Sequence, residues 1–167
     1  KGSSAASDVY KRQIYMARGN GGTEDFCENL DIDPTDIEKL LAFAVENEID
    51  LTVVGPEDPL CAGIVDAFNE KGLRVFGPNK ACARFEKSKE FTKIFLEKYS
   101  IPTAKYKSFE SYEHAEKGLE EFSYPLVVKA DGLCFGKGVI ICQDRDEAVD
   151  ALEKIFKDKI FGDQGNT

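Results

Sequence analysis

From Val127 to Val139 the chain runs Val127-Val128-Lys129-Ala130-Asp131-Gly132-Leu133-Cys134-Phe135-Gly136-Lys137-Gly138-Val139, and these residue types at this spacing can grip an anion. Gly132, Gly136 and Gly138 leave the backbone free to turn N–H groups onto a phosphate, while Lys129, emerging from an apolar run, sets a point charge beside them. A flap over a phosphate chain is the chemistry such a stretch performs. It is not a Walker A loop, because Gly138 stands where that motif needs a hydroxyl, and because Val139-Ile140-Ile141-Cys142 reads as a strand where a P-loop needs a helix. On composition alone, a glycine-rich hairpin whose lysines face water fits equally well.

Other chemistries find little support. His114 is the only histidine and sits among Ser111, Glu113 and Glu116 on an expected helix, a solvated position, so catalysis through histidine or a histidine metal cluster is not expected. Cys27, Cys61, Cys82, Cys134 and Cys142 are widely spread with no C-x-x-C pair, which suggests neither a zinc site nor a disulfide framework but reduced thiols packed mostly as small hydrophobes. The formal charge is -9 over 167 residues, with no Lys/Arg run, and nucleic acid is not an expected partner. No apolar run approaches the roughly 18 to 20 residues of a membrane span, nor has any stretch the layout of a signal peptide. A cytoplasmic location is expected.

The glycine-rich stretch needs elements to hold it. Pro125 to Lys129 and Val139 to Cys142 read as strands joined by a connection of hairpin length, too short for a helical crossover, and Arg145 to Phe156 reads as a helix packed behind them. Tyr106 to Phe109 reads as a further strand and Ser111 to Phe122 as a helix, so residues 106–167 form a small α+β unit. Upstream the pattern differs. Ile14 to Ala17 is a short apolar run entering the loop Arg18-Gly19-Asn20-Gly21-Gly22-Thr23. Asp33 or Thr35 caps a helix whose core face is Ile37, Leu40, Leu41, Ala44 and Val45. Ile49 to Val54 is a β-branched run ended by Gly55-Pro56-Glu57-Asp58-Pro59-Leu60, then a helix carries Ile64, Val65, Ala67 and Phe68, and Leu73 to Phe76 is a strand closed by Gly77-Pro78. Strand and helix alternating at short spacing predict a doubly wound parallel sheet, whose ligands gather at the carboxyl ends of the strands, where the loops at 19–23, 55–59 and 77–78 emerge. Ala81 to Tyr99 reads as one helix leading to the break Ile101-Pro102-Thr103-Ala104. Residues 1–13 have no apolar period and are expected to be a tag or non-native end.

With these elements in order, a resemblance becomes specific. The run VVKADGLCFGKGV is similar to the glycine-rich signature of phosphoribosylamine–glycine ligases, which belong to the ATP-grasp superfamily. Ser88-Lys89-x-Phe91-Thr92-Lys93-x-Phe95 with Ile101-Pro102-Thr103-Ala104 resembles the family's preceding helix and linker. Val53-Val54-Gly55-Pro56-Glu57-Asp58-Pro59-Leu60-Cys61-Ala62-Gly63-Ile64-Val65-Asp66, followed by Val75-Phe76-Gly77-Pro78, resembles its substrate lobe. The resemblance spans Ile14 to Thr167. It implies an α/β fold with a Rossmann-like parallel-sheet lobe over 14–80, a connecting helix and linker over 81–105, and the small α+β subdomain of an ATP-grasp fold over 106–167.

It also implies roles. Lys93 and Lys129 are the lysines on the ATP phosphates, with Gly132, Gly136, Lys137 and Gly138 in the loop that folds over them. Gly55, Pro56 and Glu57, helped by Asn20 and Gly21, face the phosphoribosylamine, whereas Lys87 and Lys89 belong to a solvated helix face. Cys134-Phe135 are bulkier than the family's usual small pair, and Arg18 replaces a usual proline. The reaction implied is ATP-driven joining of glycine to 5-phosphoribosylamine through a glycyl phosphate, with magnesium or manganese, in purine synthesis. The parent is expected to be a monomer or part of a multifunctional chain. The family's first strand and Gly-Gly-Arg-Glu-His loop are expected before Ile14, and its acidic metal ligands after Thr167. The sequence is therefore read as truncated at both ends, without ligase activity alone and without metal ligands of its own. Two other readings stay open: another ATP-grasp ligase of the same pathway, and a non-catalytic remnant that binds a sugar phosphate.

Overall fold

The computed structural model describes residues 13–133, 138–162 and 167. The chain folds as two compact units, Lys1–Gly77 and Pro78–Thr167. The expectation of a tag over 1–13 falls, except for Gln13, outside the described residues.

The first unit is α/β with parallel pairing. Strand β1 (Tyr15–Ala17) pairs with β2 (Glu28–Leu30), Tyr15 opposite Glu28 and Ala17 opposite Leu30. Helix α1 (Ile37–Glu46) follows, and its Phe43 ring packs edge-on against Tyr15 at 5.0 Å between centroids. Strand β3 (Thr52–Val53) pairs in parallel with β4 (Val75–Phe76), so helices α2 (Glu57–Ala62) and α3 (Ile64–Glu70) form the crossover that parallel pairing requires. Gly63 separates α2 from α3 at φ 105°, a left-handed conformation that glycine adopts without steric cost. Leu60, Ile64, Val65 and Phe68 are buried on these two helices.

Several sequence expectations are corrected here. The strands are shorter than read: Thr52–Val53 within Ile49 to Val54, and Val75–Phe76 within Leu73 to Phe76. The cap of α1 is Asp36, whose carboxylate accepts from the Lys39 N–H, while Asp33 closes the preceding turn by accepting from Thr35. Val45, expected on the core face, is 57% exposed, and Ala44 is the buried residue of this helix. Glu57 to Leu60 is not loop but the start of α2, which opens after Pro56. Strand β2 has no counterpart among the expected elements, since Glu28-Asn29-Leu30 has no apolar run and gains its conformation from pairing with β1.

The second unit begins with α4 (Lys80–Lys87) and α5 (Lys89–Lys98), two helices where one was expected, because Ser88 breaks the run at φ -127°, ψ 116°. Aromatic contacts of Phe85 with Phe91 and Phe95 hold the pair together. Tyr106 to Phe109 is not a strand. Side chains anchor it instead: Tyr106 donates to Glu97, and Lys107 pairs with Glu121. Helix α6 (Tyr112–Gly118) continues as a single tighter turn over Leu119–Glu121. Strands β5 (Leu126–Lys129) and β6 (Val139–Cys142) form the expected antiparallel hairpin, with Lys129 opposite Val139, and α7 (Arg145–Phe156) packs against it. Alanines let these layers approach closely: Ala115, Ala130, Ala148 and Ala151 are buried with Leu119, Cys142, Leu152 and Ile155. Burial also raises the Cys142 thiol above its ordinary pKa, as suits a cysteine that packs as a hydrophobe. Cys61 is buried too, Cys27 half-buried, and Cys82 exposed.

Candidate functional site

The hairpin positions the chemistry of the second unit. In β5 side chains alternate, so Val128 points into the core while Lys129 is exposed on the other face. Helix α5 brings a second ammonium, that of Lys93, which donates to Thr103 Oγ1 at 2.6 Å and to the Ala104 carbonyl at 2.9 Å and lies 5.4 Å from the Tyr106 ring centroid. Lys93 and Lys129 both line a cavity of about 830 Å³, with Glu90, Asp131, Leu126 and Phe156 among the other lining residues. A volume of this order suits a small ligand with an apolar part and a charged part. Lys93 and Lys129 share this space with other lysines and with the carboxylates of Glu90, Glu121 and Asp131, and an ammonium so placed can form charge-assisted bonds to a phosphate.

Beyond Lys129 the chain turns at Asp131 and Gly132, the latter at φ 101°, and it re-enters the sheet at Gly138, whose carbonyl accepts the Ala130 N–H at 3.0 Å. Gly136 and Lys137 lie outside the described residues. Lys89, expected on a solvated helix face, instead donates to the Gly132 carbonyl at 2.8 Å; Lys87 is exposed as expected, and so is His114. The Asp131 carboxylate accepts from the Lys89 and Glu90 N–H groups and from the Ser88 hydroxyl. Neither Ser88 nor Asp131 is among the site residues expected from the sequence. Ser88 is legible as a helix cap, a Ser two residues before a Glu and three before a Phe in a helical pattern. Asp131 reads as an ordinary turn residue before a glycine.

In the first unit the residues expected from the resemblance to face a substrate stand after the carboxyl ends of strands. Asn20 and Gly21 follow β1, in a loop tied shut by its own polar groups: Asn20 Oδ1 accepts the Gly22 N–H at 2.8 Å, and its carbonyl accepts from the Thr23 hydroxyl and Asn29 Nδ2. Gly19 leaves the space into which Asn29 reaches, since a Cβ there would meet Asn29 Oδ1 at 1.7 Å. Gly55, Pro56 and Glu57 follow β3 and are exposed, with open space around Gly55. The two groups leave different two-stranded sheets.

Among the described residues, no group of three or more His, Cys, Asp or Glu is placed to hold a metal ion, and no helix is long and apolar enough to cross a membrane. The cavity brings the ammonium groups of Lys93 and Lys129 together with the carboxylates of Glu90, Glu121 and Asp131.

Comparisons with known proteins find similar chains over nearly the whole of this sequence. The phosphoribosylglycinamide synthetase N domain matches residues 3–86, starting inside the stretch read as a non-native end, and the ATP-grasp (A) domain of the same synthetase matches residues 87–167. Phosphoribosylamine–glycine ligase of Pasteurella multocida (strain Pm70) is 50% identical over 163 residues, covering 96% of this chain and 38% of the relative. That of Clostridium acetobutylicum is 48% identical over 155 residues, 92% of this chain and 37% of the relative. The crystal structure of phosphoribosylamine–glycine ligase from Thermotoga maritima superposes with a TM-score of 0.69 at 30% identity, over 94% of this chain and 37% of that one. N5-carboxyaminoimidazole ribonucleotide synthetase from Thermus thermophilus superposes with a TM-score of 0.63 at 19% identity, over 89% and 39%, a likeness of fold alone. The chain thus spans under two fifths of the length of the curated relatives named here.

Proposed function

The chain belongs to the phosphoribosylglycinamide synthetase family, and from that premise we propose that the protein carrying it is an ATP-dependent carboxylate–amine ligase joining glycine to 5-phosphoribosylamine in purine synthesis, acting in the cytoplasm. The observation that carries this reading is the shared cavity of Lys93 and Lys129 beside the glycine-rich turn. ATP supplies the phosphoryl group that makes the glycine carboxylate a good acceptor for an amine. The residues of this chain supply position and charge. Lys93 exchanges two neutral acceptors, Thr103 and Ala104, for phosphate oxygens, which as charged acceptors form stronger bonds. Lys129 meets the same phosphates from the hairpin side, with Gly132 and Gly138 at the turn, and Gly136 and Lys137, outside the described residues, are assigned to the same phosphate loop by the resemblance. Charged donors gathered around the phosphates stabilise the charge that grows during phosphoryl transfer.

Asn20, Gly21, Gly55, Pro56 and Glu57 are assigned to the amino sugar phosphate, in keeping with ligand placement at the carboxyl ends of parallel strands. Magnesium or manganese accompanies ATP in this reading. The described residues do not fit such an ion, so its ligands are assigned to other parts of the protein and no step here runs through it.

The lysines provide the test. In the full-length gene product carrying this sequence, Lys93→Ala and Lys129→Ala are each expected to weaken ATP binding on the order of 10–100-fold, the range expected when a charged phosphate contact is lost. Calorimetric titration with ATP measures it. Unchanged affinity in both variants would contradict the assignment of these lysines to ATP, and no ATP binding by the parent protein would favour a binding module for a sugar phosphate.

A further inference from the structure

Helix α5 and strand β5 carry the two lysines, and one carboxylate joins them. Asp131 lies two residues beyond Lys129, and its Oδ1 accepts the N–H of Lys89 at 2.5 Å and that of Glu90 at 3.2 Å. Its Oδ2 accepts the Ser88 hydroxyl at 2.9 Å, and the Ser88 oxygen accepts the N–H of Phe91 at 3.0 Å. The first three N–H groups of α5, which have no partner within the helix, are thereby satisfied by Asp131 and its relay Ser88. A negative charge at this end also complements the helix dipole. The Lys89 side chain returns across the same junction to the Gly132 carbonyl at 2.8 Å. Lys93 stands one turn further along α5.

We propose that Asp131 is a positioning residue that fixes the separation of Lys93 and Lys129 by clamping the glycine-rich turn to the start of α5. The contacts of its carboxylate run to donors of α5 and its cap, as a positioning role requires. The clamp rests on the assignment of both lysines to ATP phosphates, and it deepens that reading: the loop base and the helix move as one body, so grip at one lysine is felt at the other. A misplacement of about 1 Å at such a site is enough to cost on the order of 100-fold.

The clamp is tested by affinity and by rescue in the full-length protein. Asp131→Ala is expected to weaken ATP binding on the order of 10–100-fold and to raise KM for ATP more than it lowers kcat. Asp131→Asn keeps one oxygen for the Lys89 and Glu90 N–H groups and can donate to the Ser88 oxygen, so it is expected to recover most of the loss. Ser88→Ala, which leaves the two backbone contacts in place, is expected to fall between wild type and Asp131→Ala. Thermal unfolding of each variant confirms that the comparison is made on folded protein. Asn as damaging as Ala would overturn the proposal in favour of direct contact with metal or reactants. ATP affinity within about twofold of wild type in Asp131→Ala would overturn it as well. A wild-type protein that binds ATP tightly through this clamp yet consumes none with glycine and phosphoribosylamine would sink the ligase reading and leave the clamp standing.

Discussion

Gly19 and Gly21 lie in one loop, yet their surroundings differ. A methyl group on Gly19 would overlap Asn29, which cannot swing aside without giving up its bonds to Thr23 Oγ1 and the Asn20 carbonyl. Gly21 has nothing within 4 Å of the same position. Gly19→Ala is therefore expected to lower stability by about 1–3 kcal/mol through overpacking, and Gly21→Ala to be nearly neutral, as urea denaturation of the two variants measures. Equal effects would mean that the loop is not closed as described. The same contrast shows what single residues reveal in a sequence. Lys129, Gly132 and Gly138 raise an anion site by type and spacing, with a solvated hairpin fitting them equally well, whereas the partnership of Lys89 with Gly132 joins positions 43 residues apart and leaves no local trace.

At the scale of elements, charge and cap chemistry decide where helices begin. Helix α1 starts at Asp36, whose pKa is held below its ordinary value first by the hydrogen bond from the Lys39 side chain and then by the Lys39 N–H. Asp33 is lowered likewise, first by the Thr35 hydroxyl. A carboxyl lowered in the folded state contributes stability that is full above its unfolded pKa and is lost as pH falls through the folded one. Asp36→Asn keeps a capping oxygen and removes the charge. Thermal unfolding followed from about pH 6 down to about pH 2 is expected to show a shallower acid loss in Asp36→Asn than in wild type. Identical slopes would show that the Lys39 pairing contributes nothing. Because these groups are exposed, added salt is expected to shrink the difference.

Element boundaries are legible where a local rule sets them. Val139 to Cys142 and Arg145 to Phe156 stand in the structure at the residues read from the sequence, a short apolar run followed by a helix that Asp144 caps in the structure. They are not legible where a distant partner decides. Ser88 ends α4 because Asp131 takes the N–H groups of the next helix, and Glu28-Asn29-Leu30 is a strand because β1 lies beside it. Tyr106 to Phe109 has the aromatic look of a strand, but side-chain contacts to Glu97 and Glu121 replace a ladder.

On the scale of the whole molecule, the parallel pairing of the first unit and the hairpin of the second follow the alternation of apolar runs and Gly/Pro loops, and this much is physics that any such sequence displays. Which ligand the sheets serve is not. The choice of glycine and phosphoribosylamine rests on motif resemblance and family membership, over a chain that spans 38% of the Pasteurella multocida relative's length. The measurement that reaches this claim most directly is ADP release by the purified full-length gene product, with glycine and phosphoribosylamine supplied singly and together. The account expects release only when both are present, with glycinamide ribonucleotide formed in equal amount. Release that ignores either substrate, or none with both present, would contradict it.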